Sequence, residues 1–305
     1  MPTKQQKRAV IKQLLIPIFL IIAALLYQPV RGLFQSQEKS VNTKTDGSKL
    51  TVSYIDVGQG DATLIHKGNF SMLIDAGKNE RGTTVVEYLK NQGIKKLDLL
   101  VGTHPDSDHI GGLDDVLQEI SVDTVYLPRA TKETRTWREV ERALRQTGKE
   151  AQMPEIGKEY RFDENVMIRF LGPQRKYAEA NDNSLVVQLA YGKTRFLFMG
   201  DAEEQAEKDI LERNFDLECD VLKVGHHGSY TATSDAFLKG ANPAYAVISA
   251  GKDNSYGHPH AEVLSRLEDE DVQIYRTDTM GSIQAVSDGS QVRLTTENKQ
   301  GNFQQ

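Results

Sequence analysis

The sequence predicts an α/β sandwich in which two sheets pack against each other and helices cover their outer faces. From residue 50 to about residue 298, short apolar runs rich in β-branched residues alternate with amphipathic segments. The first half is rich in strands with helices between them, and the second half repeats that pattern. Because sheets and helices each carry an apolar face, such segments pack in layers around a shared core. We therefore expect residues 50–298 to form one domain, followed by a polar tail at 299–305.

The first half of this domain begins with a predicted strand in LTVSYIDVG, where β-branched residues alternate with others. A hairpin is predicted for ATLIHKG and NFSMLIDAG, with Lys67, Gly68 and Asn69 at its turn. A helix that stops at Gly93 is predicted for GTTVVEYLKNQG. A short buried strand follows in LDLLVGTH, and a helix in GGLDDVLQEI. The next strand and helix are predicted in VDTVYLP and TRTWREVERALRQTG.

The second half begins with a predicted strand in VMIRFLGP and a hairpin through Gly192 in SLVVQLAYGKTRFLFMGD. A helix in AEEQAEKDILERN is followed by a strand that leads into a loop, CDVLKVGHHGS, and by a helix in SDAFLKGA. A strand in YAVISAG and a helix in HAEVLSRLEDED come next. Closing strands are predicted in VQIYRT and SIQAVSDGSQVRLTTEN.

The N-terminal region has the features of a targeting segment. Four cationic residues precede LLIPIFLIIAALLY, a stretch of fourteen apolar residues. A secretory apolar region has about 7–15 residues and a membrane span about 17–25, so the length lies between the two. Because we find no small-residue cleavage site after it, we expect residues 1–31 to be an uncleaved signal-anchor, with a cleaved signal peptide or a buried core helix as alternatives. A polar linker is predicted at 32–49.

The charge of the chain is unevenly distributed. The formal net charge is -6, and residues 1–45 hold seven Lys or Arg and one acidic residue, so this segment carries +6 and the remainder -12. The positive flank is expected to stay in the cytoplasm, which places the acidic body outside, membrane-anchored or secreted. An acidic body argues against a broad basic face for nucleic acid, although a local basic groove or a metal-bound phosphate remains open. The single cysteine, Cys219, excludes an internal disulfide framework.

The chemistry of the sequence centres on THPDSDHIGG, which holds two His and two Asp. Imidazole nitrogen and carboxylate oxygen suit borderline divalent ions such as Zn²⁺ or Mn²⁺. Gly111 and Gly112 allow the following helix start to come close, and a helix N-terminus favours nearby anions. The alternative is a polar loop with Asp as a helix cap and His at the surface. Other predicted strands also end in ionisable residues: Asp56, Asp75, Asp201, His226 and His227.

The stretch THPDSDHIGG resembles the HxHxDH signature of the metallo-β-lactamase superfamily, with Asp106 in place of the second His. The variant HxDxDHxGG is similar to the nuclease-like domain of ComEC-type competence proteins. Further matching pieces occur in order along the chain: YIDVGQGDATLI, MLIDAG, NDNSLVVQL, FLFMGD, VLKVGHHGS and YGHP. The resemblance covers about residues 50–285 and implies a four-layer αββα sandwich with a metal site between the sheet edges.

The resemblance also implies a set of metal ligands. His104 and Asp106 would hold one metal, and Asp108 and His109 a second. Asp201 would match the bridging carboxylate of the superfamily.

The remaining ligand positions are less regular. His226 would match the last His ligand, but the middle His of the superfamily is missing; Asp182 is the nearest candidate and Glu179 a weaker one. Carboxylates in place of imidazoles favour Mn²⁺ over Zn²⁺. Because this His is missing, a site that holds one ion is an alternative to a site that holds two.

Several residues near these ligands have two interpretations. Asp56 and Asp75 are expected to orient ligand imidazoles and the loop, with a plain turn role as the alternative. His258, in YGHP, is expected at the substrate rim. Two further histidines are expected at the surface: His66 and His260.

We therefore expect a metal-dependent hydrolase of phosphodiesters, with DNA as the substrate that the resemblance favours. Asp108 is expected to hold the nucleophile or accept its proton, and His227 or Lys223 to assist the leaving oxygen. For His227 the alternative is a loop cap. For Lys223, a solvent-facing position on its strand is favoured over contact with a phosphate. Because an acidic body counts against a processive nuclease, a small-molecule phosphodiester or ester hydrolase is the second hypothesis. A non-catalytic metal-binding surface module is the third, supported by the missing His.

Overall fold

Two sheets packed face to face form the centre of the structure. The computed structural model describes residues 47–128, 134–162, 164–297 and 303–304; within them, nine strands form one sheet and seven the other. These residues belong to one compact unit, Thr45–Gln305.

The strands are short, as expected for runs bounded by turn residues. In chain order they are β1 (Leu50–Tyr54), β2 (Thr63–Lys67), β3 (Phe70–Ile74), β4 (Lys96–Val101), β5 (Ser121–Tyr126), β6 (Ala151–Gln152), β7 (Glu159–Arg161), β8 (Val166–Gly172), β9 (Val186–Tyr191), β10 (Thr194–Phe198), β11 (Val221–Lys223), β12 (Tyr245–Ile248), β13 (Gln273–Arg276), β14 (Ile283–Ser287), β15 (Val292–Glu297) and β16 (Phe303–Gln304).

The helices lie between these strands in the chain. In chain order they are α1 (Gly82–Asn91), α2 (Ser107–Ile110), α3 (Leu113–Glu119), α4 (Arg135–Gln146), α5 (Glu204–Glu212), α6 (Asp235–Ala241), α7 (Ala261–Asp269) and α8 (Thr277–Met280).

The order of strands brings the two ends of the domain together in the first sheet. That sheet runs β16-β15-β14-β1-β2-β3-β4-β5-β6, and the second runs β13-β12-β11-β10-β9-β8-β7. Strands β3, β4 and β5 are parallel, as are β10, β11, β12 and β13. Parallel neighbours carry their carboxyl ends to the same edge of a sheet, so the loops after them can share a site.

Apolar residues on alternate sides of each strand create three layers of core. In β3, Met72 and Ile74 face the core between the sheets, whereas Leu73 faces the core under α1, α3 and α4. In β10, Phe198 faces the core between the sheets and Leu197 faces the core under α5, α6 and α7. Both faces of both sheets are therefore covered, and the predicted two-sheet sandwich with outer helices is confirmed.

The predicted hairpin turns and the end of α1 agree with the structure, and one predicted helix is preceded by a short helix that was not predicted. Gly68 and Gly192 adopt positive φ at the two predicted turns, and α1 ends two residues before Gly93. The predicted helix at 111–120 is preceded by the short α2, and Gly112 lies between α2 and α3. A Cβ on Gly112 would lie 2.4 Å from the Ala76 carbonyl oxygen, so only glycine permits this approach. The short elements β6, β7 and α8 were not predicted, because two to four residues carry little periodicity.

The proposed signal-anchor at residues 1–31 lies outside the described residues, as does most of the linker. Within the described ranges, no helix combines the length and apolar character that a membrane crossing needs.

The core between the sheets gives a first prediction. Phe198 is 1% exposed and packs against Tyr54 across the sandwich. We expect Phe198→Ala to lower the free energy of unfolding by about 3–5 kcal/mol, because it removes buried area and leaves a cavity. Urea denaturation measures this. Met153→Ala is the control, since Met153 is 37% exposed; a change of more than about 0.5 kcal/mol there, or less than that in Phe198→Ala, would contradict the assignment.

Candidate metal centre

Loops from both sheets converge at one edge of the sandwich and bury a cluster of ionisable side chains. Of the side chains in the described ranges, four can each offer a ligand atom within 4.8 Å of the others. They are Asp61 from the loop between β1 and β2, His109 from α2, Asp201 from the loop after β10, and His227 from the loop after β11. All four are buried. Such a group is costly to bury unless a cation or a network of hydrogen bonds compensates it.

His109 lies at the centre of the cluster. Its Nε2 is 3.1 Å from Asp201 Oδ1 and 3.3 Å from His227 Nε2. Its Nδ1 is 2.8 Å from Oδ2 of Asp75, which is fully buried. Asp75 also accepts hydrogen bonds from the Thr103 amide and hydroxyl, each at 2.7 Å. Because Asp75 engages Nδ1, the other ring nitrogen of His109 faces the cluster.

The rest of the THPDSDHIGG stretch surrounds His109. The rings of His104 and His109 are 4.1 Å apart, and His104 Nε2 is 3.6 Å from Asp201 Oδ2. Asp106 is 40% exposed in its side chain, with Oδ2 at 4.0 Å from His104 Nε2. Asp108 Oδ2 lies 3.5 Å from His227 Nε2. The sequence stretch therefore supplies one central imidazole and three side chains around it.

Residues 226–228, which we call the HHG loop, have a strained backbone that turns two adjacent imidazoles towards the cluster. His226 has φ 46° and His227 φ 53°, the left-handed region that costs a non-glycine residue about 1–3 kcal/mol. His227 Nδ1 donates to the Ser249 carbonyl at 3.0 Å, so its Nε2 faces the cluster. His226 Nδ1 pairs with Glu203 Oε1 at 2.9 Å, and its Nε2 is 3.8 Å from Asp201 Oδ2.

A buried ion pair lies beneath the cluster. Lys223 Nζ is 2.8 Å from Asp61 Oδ2, and both side chains are almost fully buried. Burial by itself would raise the pKa of Asp61, but the charge of Lys223 and the contact with His227 outweigh it and lower that pKa. The favoured solvent-facing position of Lys223 is wrong, because its partner lies in the interior.

The carboxylates of the cluster control the charge of its imidazoles. Burial would lower the pKa of His227, but Asp201, Asp108 and Asp61 outweigh it and raise that pKa to about 10. The pKa of His109 is also raised, because Asp201 and Asp75 overcome its burial. In the same way, contact with His227 and the charge of His109 overcome the burial of Asp108 and lower its pKa to about 2. In metal-free protein the carboxylates therefore favour protonated imidazoles in the cluster, and a bound cation would compete with those protons.

Buried atoms without partners show that the cluster fits a divalent cation. Asp61 Oδ1 and His104 Nε2 have no hydrogen-bond partner among the described residues, and Asp201 Oδ1 has only its ion-pair contact with His109 Nε2 at 3.1 Å. Each unsatisfied buried polar atom costs about 1–3 kcal/mol. A divalent ion that accepts imidazole nitrogen and carboxylate oxygen would satisfy them together. The residues that would hold it are Asp61, His109, Asp201 and His227, with His104 beside them.

Other predicted site residues lie around this centre or away from it. One oxygen of Asp182 accepts the amides of Glu203 and Ala206, each at 3.1 Å, and so caps the start of α5; its role as the replacement for the missing His stays a prediction. Asp56 is exposed and accepts the amide of Gly58 at 3.0 Å, which is a turn contact. His258 packs beside the HHG loop, with its ring 6.1 Å from that of His227.

The two histidines that were expected at the surface differ in burial. His66 is 4% exposed, so the expectation for it is wrong: β2 is covered on both faces. His260 is partly exposed, and its Nδ1 accepts the Tyr230 amide.

Sequence reasoning missed Asp61, Glu203 and Ser249. Asp61 lies in the motif YIDVGQGDATLI, from which only Asp56 was predicted to be a site residue. A charged residue directly before a predicted buried strand is the signal that could have identified it. Glu203 and the Ser249 carbonyl have no such signal, since each acts by contact with a histidine distant in the chain.

Comparison with known proteins gives one family and one fold. The Metallo-beta-lactamase superfamily matches the chain over residues 55–252. ComE operon protein 3 of Bacillus subtilis (strain 168) is 31% identical over 254 residues, 76% of this chain and 32% of that protein. Competence protein ComA of Neisseria gonorrhoeae is 31% identical over 240 residues, 78% of this chain and 32% of that protein. The chain therefore spans about a third of the length of these relatives.

A solved structure has the same fold. The metallo-beta-lactamase fold protein YhfI from Bacillus subtilis has a TM-score of 0.51 at 12% identity, covering 77% of this chain and 99% of that chain. The resemblance inferred from the motifs is confirmed at the level of the family and of the fold.

The contact between Asp75 and His109 gives a prediction for metal affinity. We expect Asp75→Asn to weaken divalent metal binding by about 10- to 100-fold, because the partner that orients a ligand imidazole loses its charge. Competition with a chelating dye measures the affinity. Asp56→Asn is the matched control, since Asp56 is exposed in a turn, and it should leave the affinity unchanged. Equal affinities in both variants would contradict the role of Asp75.

The raised pKa of His227 gives a prediction for stability. The pKa is about 10 in the folded protein and about 6.5 for histidine in an unfolded chain. A raised pKa stabilises the fold fully below the unfolded value, and this contribution is lost as the pH rises through the folded value. We therefore expect the free energy of unfolding of chelator-treated protein to fall as the pH rises from neutrality to about 10.

Urea titrations across this pH range measure the effect. His227→Gln serves as the comparison, because glutamine keeps a polar side chain without a proton to lose. The fall should be shallower in this variant, and identical pH dependence in both proteins would show that His227 does not carry the effect.

Proposed function

The chain belongs to the Metallo-beta-lactamase superfamily, and from this premise we propose that it is a metal-dependent phosphodiesterase that cleaves DNA. The observation that carries the proposal is the buried cluster of Asp61, His109, Asp201 and His227, whose unpaired atoms fit a divalent cation. The choice of DNA is supported by the relative from Neisseria gonorrhoeae, which is named a competence protein.

The ligand chemistry favours a harder ion than a histidine-rich site would. A carboxylate stands at position 106 in the HxDxDH pattern, and Asp61 and Asp201 contribute carboxylates to the cluster. Carboxylates suit Mn²⁺ better than imidazoles do, so we propose Mn²⁺ ahead of Zn²⁺. When bound, the ion would supply positive charge for phosphate oxygens and acidify water in the centre.

The residues of the chain itself would position the reacting groups. Asp108 is ionised at neutral pH, and its side chain is 22% exposed, so it can orient an incoming water and accept its proton. His227 Nε2 faces Asp108 and the other ligand atoms, so His227 would hold the ion, while its Nδ1–H donates to the Ser249 carbonyl and fixes the ring. We assign Lys223 to holding Asp61 in place, because its ammonium group is buried against that carboxylate. The strained HHG loop would keep His227 in position before substrate arrives.

The location outside the membrane is part of the proposal. It is supported by the cationic flank and the apolar stretch near the N-terminus, the pattern of a signal-anchor. Reporter fusions at the C-terminus, one active in the cytoplasm and one outside, would test it.

We expect the metal-stripped full chain to regain hydrolysis when Mn²⁺ is added. Substrates are single-stranded DNA, duplex DNA and bis-p-nitrophenyl phosphate, with Zn²⁺ and Mg²⁺ in parallel. Asp108→Ala and His109→Ala should each lower kcat by about 100-fold or more, since each removes a group from the reacting centre. Asp56→Ala, in the exposed turn, should retain wild-type turnover.

The outcomes separate the hypotheses. Cleavage of the small ester without DNA would support a small-molecule phosphodiesterase. Bound metal without turnover of any substrate would support a non-catalytic metal-binding module. Wild-type turnover in both centre variants would overturn the assignment of the site.

A further inference from the structure

A row of aromatic rings leads from the metal centre to the surface. The ring of His227 is buried, and the ring of His258 lies nearly parallel to it at 6.1 Å and 28°. The ring of Tyr256 is stacked on His258 in turn, at 5.6 Å and 20°. Tyr256 is 60% exposed, so most of its surface meets solvent. This exposed ring stands two rings away from the centre.

A second exposed ring lies on the same rim. Tyr230 is 61% exposed, and its ring is 5.1 Å from that of His260. His260 in turn meets His258 edge-on at 4.8 Å. We call Tyr230, Tyr256 and His258 the rim platform. Both exposed tyrosines are thus linked through histidine rings to the same point beside the centre.

The loop that carries Tyr256 is held rigid by one side chain. Asn254 Oδ1 accepts the amides of Tyr256 and His258, at 3.1 and 3.0 Å. Asn254 Nδ2 donates to the carbonyls of Gly251 and His258, at 2.9 and 2.6 Å. A ring presented on a fixed loop loses little entropy when it binds a ligand, which is what a recognition surface needs.

The net negative charge of the body opposes the usual electrostatic source of affinity for nucleic acid. Residues from 46 onward carry a net charge of -12, which opposes attraction of a polyanion through a broad basic face. Stacking of bases on aromatic rings supplies affinity that does not depend on net charge, about 1–3 kcal/mol per base. Such stacking needs unpaired bases, because paired bases already stack within the duplex.

We propose that the rim platform stacks unpaired nucleobases beside the scissile phosphate, so that the substrate is single-stranded nucleic acid. This inference rests on the proposed phosphodiesterase function and narrows its substrate. Tyr256 and Tyr230 are specificity residues under this proposal: they contact bases, whereas the centre contacts the phosphate. The platform recognises the flat face of a base and so accepts any sequence.

Binding to two fluorescent oligonucleotides tests the proposal without any need for turnover. One is oligothymidylate, and the other has the same length and charge but abasic residues throughout. Fluorescence anisotropy is measured on the full chain in chelator, where no cleavage occurs. We expect wild-type protein to prefer the thymidylate strand, and Tyr256→Ala or Tyr230→Ala to weaken that binding about tenfold each. Binding to the abasic strand should stay unchanged, and Tyr256→Phe should retain wild-type affinity because its ring still stacks.

Three results would overturn the platform: no preference of the wild type for the strand with bases, unchanged thymidylate binding in both alanine variants, or an equal loss on both strands. Met153→Ala, at an exposed residue outside the platform, controls for general effects of removing apolar surface. Failure of the platform differs from failure of the proposed function. The first appears in this binding comparison, and the second as absent hydrolysis of every phosphodiester after Mn²⁺ is restored.

Discussion

The ion pair between Asp61 and Lys223 joins the two sheets at the edge where the candidate metal centre lies. Asp61 precedes β2 of the first sheet, and Lys223 ends β11 of the second. An unpaired charge in this position would be strongly destabilising, so each residue requires the other. The pair therefore holds the loop before β2 against the end of β11, beside the imidazoles and carboxylates of the centre.

Contacts outside the cluster determine which ring nitrogen each histidine directs inward. Asp75 engages Nδ1 of His109, the Ser249 carbonyl engages Nδ1 of His227, and Glu203 engages Nδ1 of His226. In all three cases Nε2 is left for the centre. Backbone strain in the HHG loop is a further cost that the fold carries at this edge. Polar groups and strain are concentrated where a ligand would relieve them, as in functional sites generally.

Under the proposed function, the platform and the centre would divide substrate recognition into two physical parts. With its ion bound, the centre would offer positive charge to a phosphate group, and such an interaction is strong but does not distinguish one phosphodiester from another. The exposed tyrosines offer flat apolar surface, which distinguishes a strand with free bases from one without them. His258 belongs to both parts, because its ring contacts that of His227 on one side and that of Tyr256 on the other.

The sequence by itself determined the alternation of strands and helices, the two hairpins at Gly68 and Gly192, and the THPDSDHIGG centre, because these depend on local periodicity, turn residues and short spacings. Only the tertiary structure decided that Asp61 joins the centre, that Lys223 is buried, and that Asp56 lies in an exposed turn. The Asp61–Lys223 contact spans 162 residues, and no local pattern encodes such a pairing. Whether a charged residue is buried depends on the partner that the fold brings to it. Each segment taken by itself therefore favours a solvent-facing Lys223, whereas in the folded protein its ammonium group pairs with Asp61 in the interior.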